Sequence, residues 1–208
     1  MRKIVFFLKR RPELARPEFF AWWLDEHRPL VAKMPGLGHY VISLEAAGED
    51  GSLDGMAELW FEDDAAAEAA FASAEGKAAR ADTEAHAIRR ERIDVVEHPF
   101  VDHGTDPAFR LVSALKRRTD MDRAQFKDWW LGRHAPMVVE FPELQRYQVS
   151  LVEDGEEGFA DGIAEVYFAD LEALRRVTSS PRVKEVQQDS LEHTSAIERL
   201  LVEMHVVF

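Results

Sequence analysis

Apolar positions along this chain follow two periodicities, and the same succession of patterns occurs twice. Ile4-Val5-Phe6-Phe7-Leu8 is an uninterrupted β-branched and aromatic run, stopped by Lys9-Arg10-Arg11-Pro12. Such a run predicts a strand buried on both faces. Phe19, Trp22, Trp23, His27, Leu30, Val31 and Met34 then recur at three- and four-residue spacing, one face of a helix. Pro17 suits its first turn. Pro29 cannot donate to the carbonyl of Asp25 and disfavours helical geometry at Arg28, which predicts a kink or break just after His27. Strands over 37–44 and 56–61 follow. The second places Ala57, Leu59 and Phe61 on one face and Met56, Glu58 and Trp60 on the other. Glu49-Asp50-Gly51-Ser52 is turn material. An Ala-rich helix over 65–79, a further helical piece to 86 and a strand over 92–98 complete the first half.

The second half keeps step. Leu111-Val112-Ser113-Ala114-Leu115 copies the first strand with a slightly more polar face, and Phe126, Trp129, Trp130, His134, Pro136, Met137 and Val138 repeat the helix. Strands over 144–151, 163–168 and 199–208 and helical stretches over 171–177 and 183–192 follow. His27 and His134 are 107 residues apart, as are Tyr40 and Tyr147. No gap interrupts the alignment from 8–44 to 115–151, and the Ala-rich helix diverges most. Each half reads strand–helix–strand–strand–helix–strand, the ferredoxin-like split βαβ unit. The expected organisation is a repeat over 1–100, a linker over 101–107 and a repeat over 108–208. With both helices on one face of each sheet, the other face carries Phe6 or Phe7, Ile42 and Trp60. That patch is too apolar to leave in water, and the sister sheet is the simplest cover. The expectation is an α+β fold: two βαββαβ repeats forming an intrachain barrel, a pseudo-dimer within one chain. Further homodimerisation through the outer helices stays open.

Composition narrows the function. The chain has 208 residues, a formal net charge of −13 and no cysteine. The acidic balance argues against nucleic acid and anionic membranes as partners. The missing thiol excludes disulfides and cysteine nucleophiles. No apolar run is long enough for a membrane span, and the start is too short for a signal peptide. The reading is a cytoplasmic, bacterial protein.

Phe19, Trp23, His27 and Pro29, then Pro35, Leu37 and Tyr40, then Asp54 to Phe61, together with their copies Phe126, Trp130, His134, Pro136, Pro142, Leu144, Tyr147 and Asp161 to Phe168, resemble the EthD family of dimeric α/β-barrel proteins. The resemblance covers nearly the whole chain as two modules. It implies a small-molecule pocket. Family members are linked to ether degradation, to dehydration in fungal polyketide pigment pathways and to methylmuconolactone isomerisation, and a His and a Tyr in the isomerising members match His27 and Tyr40.

On their own chemistry, His27 and His134 suit proton transfer near neutral pH, or they plug a helix end as structural hydrogen-bonders. Carbonyls freed at the helix break are the expected partners of one ring nitrogen. Tyr40 and Tyr147 suit donation to a developing enolate oxygen, or they are core fillers. Glu58 and Glu165 are costly mid-strand carboxylates, and with Trp60 and Tyr167 on the same face they are expected to contact substrate. They are candidates for a second acid or base in the pocket, or for burial as ion pairs with Lys9, Lys116, Arg92 or Arg199. Trp23 and Trp130 are expected to wall the pocket. His98 and His205 read as strand ends. No metal or nucleotide motif is present, and no cofactor is expected. The expected activity is cofactor-free isomerisation, cyclisation or dehydration of an aromatic, polyketide or lactone-type compound. The alternatives are a non-catalytic ligand carrier or scaffold and, last, a haem- or metal-dependent oxidoreductase.

Overall fold

A computed structural model of the chain describes residues 1–48, 51–104, 107, 109–152, 154–155 and 157–208. Glu49 and Asp50 of the expected turn, and 105 and 106 of the expected linker, lie outside the described residues. Repeat 1 comprises β1 (Arg2–Arg10), α1 (Arg16–Ala21), a π-helical segment (Trp22–His27), α2 (Arg28–Val31), β2 (Leu37–Glu45), β3 (Gly55–Phe61), α3 (Asp64–Ala72), α4 (Ala74–His86) and β4 (Ala87–Asp102). Repeat 2 comprises β5 (Phe109–Arg117), α5 (Arg123–Trp129), a π-helical segment (Trp130–His134), α6 (Ala135–Val139), β6 (Leu144–Leu151), β7 (Gly162–Phe168), α7 (Leu171–Thr178), α8 (Pro181–His193) and β8 (Thr194–Val206). The strands follow the order β1-β3-β2-β8-β5-β7-β6-β4 in a closed barrel. The fold is the α+β class with two ferredoxin-like repeats. β4 is longer than the expected 92–98 and runs through Pro99 to Asp102, so 101 and 102 are strand. The chain divides into two compact units, Met1–Asp94 with Met204–Phe208, and Val95–Glu203.

In the first unit, β3 lies between β1 and β2, all antiparallel. Ile4, Phe6 and Leu8 of β1, Tyr40, Ile42 and Leu44 of β2, and Ala57, Leu59 and Phe61 of β3 pack with Phe19, Trp22 and Trp23 into one core cluster. The opposite face, with Lys3, Val5 and Phe7 of β1 and Met56, Glu58 and Trp60 of β3, is buried as well. Strand alternation thus assigns Phe7 to that second face. It moves Ile42, expected there, to the helix side with Tyr40. The second unit repeats this with β7 between β5 and β6.

Each β1-type strand is pinned to the start of the β3-type strand by a buried carboxylate. Asp54 accepts from the Arg10 backbone N–H at 2.9 Å and from the Arg10 guanidinium, with Lys9 Nζ 3.3 Å away. Asp161 does the same for the Arg117 backbone, the Arg117 guanidinium and Lys116. This explains why Lys-Arg and Asp-Gly recur in both halves.

No cis peptide occurs among the described residues, and the expected break at Pro29 is absent. Backbone angles remain right-handed helical from Trp22 through Ala32 at the segment boundaries. The Arg28 N–H donates to the Trp23 carbonyl, five residues back, so one π turn absorbs what a break would have relieved.

The glycine after each buried Asp is a steric requirement. A Cβ on Gly55 would lie 2.4 Å from the Ser43 carbonyl oxygen and 3.0 Å from the Trp23 ring, and one on Gly162 would lie 2.8 Å from both the Ser150 carbonyl oxygen and the Trp130 ring. Gly132 faces open space. Gly55→Ala and Gly162→Ala are expected to lower unfolding free energy by about 1–3 kcal/mol each in urea titrations. Gly132→Ala should be neutral or mildly stabilising. Equal effects at all three sites would contradict the close-packing account.

Candidate functional site

The π turn decides which side chains can meet. Trp22 and His27 are five residues apart, as are Trp129 and His134. In an α-helix, at about 100° per residue, such positions point to different faces. The π turn brings them together, with ring centroids 4.9 Å apart in repeat 1 and 5.0 Å in repeat 2. One carboxylate oxygen from the following helix pair serves both. Asp82 Oδ2 lies 2.7 Å from His27 Nδ1 and accepts from Trp22 Nε1 at 3.2 Å. Asp189 Oδ2 lies 2.8 Å from His134 Nδ1 and accepts from Trp129 Nε1 at 3.0 Å. The orienting group is therefore a carboxylate on α4 or α8, not the freed helix carbonyl that the sequence suggested. His86 and His193 stack on these indoles at 4.2 and 4.5 Å.

An ionised carboxylate only accepts, so each imidazole carries its proton on Nδ1. The other nitrogen, Nε2, lies 3.3 Å from Thr83 Oγ1 or Ser190 Oγ. Those hydroxyls already donate to the carbonyls of Ala79 and Val186. A hydroxyl has one hydrogen, so Nε2 keeps a lone pair open to a proton. Burial pushes the pKa of both histidines below 6.5, against the upward pull of the hydrogen bond and charge of Asp82 or Asp189. At neutral pH both rings are uncharged bases. Arg133 lies 2.9 Å from Asp189 Oδ1 and opposes that pull further. Its counterpart in repeat 1 is Glu26.

Tyr40 and Tyr147 line the same cavities as their histidines. Both are fully buried, and among the described residues neither hydroxyl has a partner within hydrogen-bonding geometry, the Trp23 and Trp130 indoles being the polar neighbours. Burial pushes both pKa values far up, with the nearby Trp23 and Trp130 indoles opposing weakly. Each phenol stays protonated and has an unused donor.

The two cavities differ in size. The one beside His27 encloses about 40 Å³, the one beside His134 about 350 Å³. Aligned residues account for this. Phe6 and Phe71 of repeat 1 meet edge-to-face at 5.8 Å, and the Arg90 guanidinium sits 4.2 Å from the Phe6 ring. At the equivalent positions repeat 2 has Ser113, Thr178 and Ile197, all lining the larger cavity. Three bulky side chains fill one copy and three smaller ones leave the other open.

Of the remaining expected site residues, only Trp23 joins a cavity lining. Trp23 lines the repeat-1 cavity, whereas Trp130 packs on Gly162 and is not among the lining residues of the repeat-2 cavity. Glu58, Trp60, Glu165 and Tyr167 lie on the opposite sheet face from the histidines. Glu58 pairs with Lys3 at 2.8 Å, and Lys3 Nζ lies 5.0 Å from the Trp60 ring centroid. Glu165 pairs with Arg110, which also donates to Tyr167 Oη at 2.8 Å. The carboxylates are thus ion-paired, but with Lys3 and Arg110 rather than the four cations expected. His98 is an interior residue of β4 opposite Val149, not a strand end, and His205 is the penultimate residue of β8. Sequence reading missed Asp82, Thr83 and His86. Their copies Asp189, Ser190 and His193 stand at the same 107-residue offset, so Asp-Ser/Thr-x-x-His inside the divergent helix was the signal. Among the described residues no cluster of three His, Cys, Asp or Glu suits a metal, and no helix is long and apolar enough to cross a membrane.

Fold and site together define a duplicated α+β barrel protein with a His–Asp pair in each repeat, fully buried in the second. The EthD domain model matches twice, over residues 11–87 and 118–194, and the chain belongs to the EthD family. Among solved structures it is similar to an anthrone oxidase-like protein at 11% identity and a TM-score of 0.75, covering 99% of this chain and 91% of that one. It also resembles a candidate monooxygenase from Fusobacterium nucleatum at 8% identity and TM-score 0.64, covering 99% and 93%. A mutant chlorite dismutase from Candidatus Nitrospira defluvii matches at 11% and 0.60, covering 98% and 91%. These likenesses are of fold. No curated protein matches the sequence.

Because the fold holds both imidazoles neutral, the unfolded chain binds more protons below about pH 6.5, and stability falls as pH drops through that value. Melting temperature should decline from pH 7.5 to 5.5. The double variant His27→Gln/His134→Gln should show a shallower decline. Parallel pH profiles for the two proteins would contradict the assignment of neutral rings.

Proposed function

We propose that the repeat-2 cavity binds a small, largely apolar, oxygenated molecule and that His134 and Tyr147 catalyse cofactor-free proton transfer on it. One observation carries this reading: a neutral imidazole oriented by Asp189 and an unsatisfied phenol open onto the same cavity of about 350 Å³. That volume falls in the range of ligand pockets. His134 Nε2 takes a proton from carbon next to a carbonyl, and the Tyr147 hydroxyl donates to the carbonyl oxygen as charge builds there. Asp189 stabilises the imidazolium that forms. The imidazolium then returns the proton to a different atom of the substrate. Delivery to carbon or to the enolate oxygen completes an isomerisation, and delivery to a departing hydroxyl completes a dehydration with loss of water. Repeat 1 has the same groups in about 40 Å³, space for water rather than substrate, and we assign it a structural role. Ligand carriage without turnover would use the same cavity and leave His134 without a chemical part.

Anthrone, a flat ketone with an acidic methylene, is a suitable probe, its keto–enol conversion being a proton transfer of this kind. The wild-type protein should accelerate exchange of the methylene protons in deuterated buffer, followed by NMR. His134→Gln is expected to lower the rate by about 10²–10⁴-fold and Tyr147→Phe by about 10²-fold. His27→Gln should leave it unchanged. Full exchange activity in His134→Gln would refute the proton-transfer role. Binding without any acceleration by the wild type would favour carriage.

The exclusion of ligand from repeat 1 is tested separately. The triple change Phe6→Ser, Phe71→Thr and Arg90→Ile should create a second binding site, doubling the stoichiometry of anthrone in equilibrium dialysis. Unchanged stoichiometry in a folded variant would show that those three side chains are not the plug.

A further inference from the structure

We infer that the repeat-2 cavity selects a ligand bearing one anionic group, a carboxylate, held by Arg199 with Ser113. The inference rests on the reading of that cavity as a small-molecule site and adds the class of molecule it takes. Of the residues lining the cavity, Arg199 is the only permanently charged one, and no acidic side chain lines it. Arg199 and Ser113 are direct partners across β8 and β5, so both project to the same face of the sheet. Thr178, Gln187 and Arg199 are the exposed members of the lining and mark the mouth. The walls beyond are Leu111, Leu115, Val138, Phe141 and Val166 with other apolar residues. A carboxylate at the mouth and an apolar body within would match this distribution.

The comparison between repeats gives the stronger argument. The counterpart of Arg199 is Arg92. Arg92 donates to Asp94 at 2.7 and 2.8 Å, and its guanidinium lies 4.8 Å from the Phe71 ring centroid. In repeat 2 the position of Asp94 is Leu201 and that of Phe71 is Thr178. The arginine is kept while both of its local partners are replaced. Among the described residues the Arg199 side chain has no ion pair or hydrogen bond, in a chain with 39 acidic against 26 basic side chains. Burial without a compensating anion pushes its pKa down although the residue is partly exposed. An arginine fork without a partner, beside a serine hydroxyl that also lacks one, presents donors suited to a planar carboxylate.

Isothermal titration with 2-naphthoate and its neutral isostere 2-naphthamide tests this. The wild type should bind the acid at least about tenfold more tightly than the amide. Arg199→Met should erase the preference by weakening naphthoate alone, and Arg199→Lys should retain part of it. Ser113→Phe, which refills the cavity, should abolish binding of both and so show that the site is the cavity. Equal affinities in the wild type, or an undiminished preference in Arg199→Met, would overturn the anionic-ligand inference while leaving the cavity as a small-molecule site. Failure of both probes to bind the wild type would overturn the inference and the small-molecule reading together. A preference for the acid with no proton exchange on anthrone would sustain this inference and remove only the catalytic role.

Discussion

One carboxylate oxygen with two donors organises each repeat. Asp82 and Asp189 reach across from the second helix pair to the imidazole and indole of the first. The contact ties two helical layers, alongside the stacks of His86 on Trp22 and His193 on Trp129, and it can form only where the helix widens by one residue per turn. The π turn, the choice of Trp22 and Trp129 rather than their neighbours, and the ring tautomer all follow from that bond. The neighbouring tryptophans, Trp23 and Trp130, are thereby directed toward the sheet, where Gly55 and Gly162 make room for them.

The second constraint is electrostatic. Both sheet faces are buried, so the polar groups on them are paired or placed for a purpose. Asp54 and Asp161 staple strand ends, and Lys3–Glu58 and Arg110–Glu165 neutralise each other. Burying such pairs contributes little net stability, but removing one partner would leave a costly charge. Against that background the unpaired groups are informative. Among the described residues neither the Tyr147 hydroxyl nor the Arg199 side chain has a hydrogen-bond or ion-pair partner, and both line the cavity of about 350 Å³ beside His134.

Much of this was legible in the sequence. The repeat offset gave the duplication, period-two alternation in Met56–Phe61 gave the faces of β3, and the His–Tyr pairs marked the cavities. What escaped detection has physical reasons. Proline at position 29 reads as a break by local propensity, yet a π turn, with the Arg28 N–H donating to the Trp23 carbonyl, carries the helix past it. Asp82 and Asp189 sit in α4 and α8, whose sequences otherwise diverge, and the Ala-rich composition of α4 hides the shared spacing. Lys3 precedes the apolar run and reads as a flanking charge, although alternation places it opposite Trp60 and beside Glu58. The closure of one cavity depends on Phe6 meeting Phe71, residues distant in the chain. Their replacement by Ser113 and Thr178 was visible only as a slightly more polar strand.

The distribution of likenesses between the halves also records an order of events. A π turn arises most simply from a single inserted residue in an α-helix. It occupies the same register in both halves, with the same Asp, indole and imidazole around it, so the insertion and its network were present in the ancestral single module before the gene doubled. The aromatic plug, the arginine above it and the pair Asp94/Leu201 differ between the halves and belong to the time after. The copies therefore inherited one Asp–indole–imidazole network and then parted over the space left beside it.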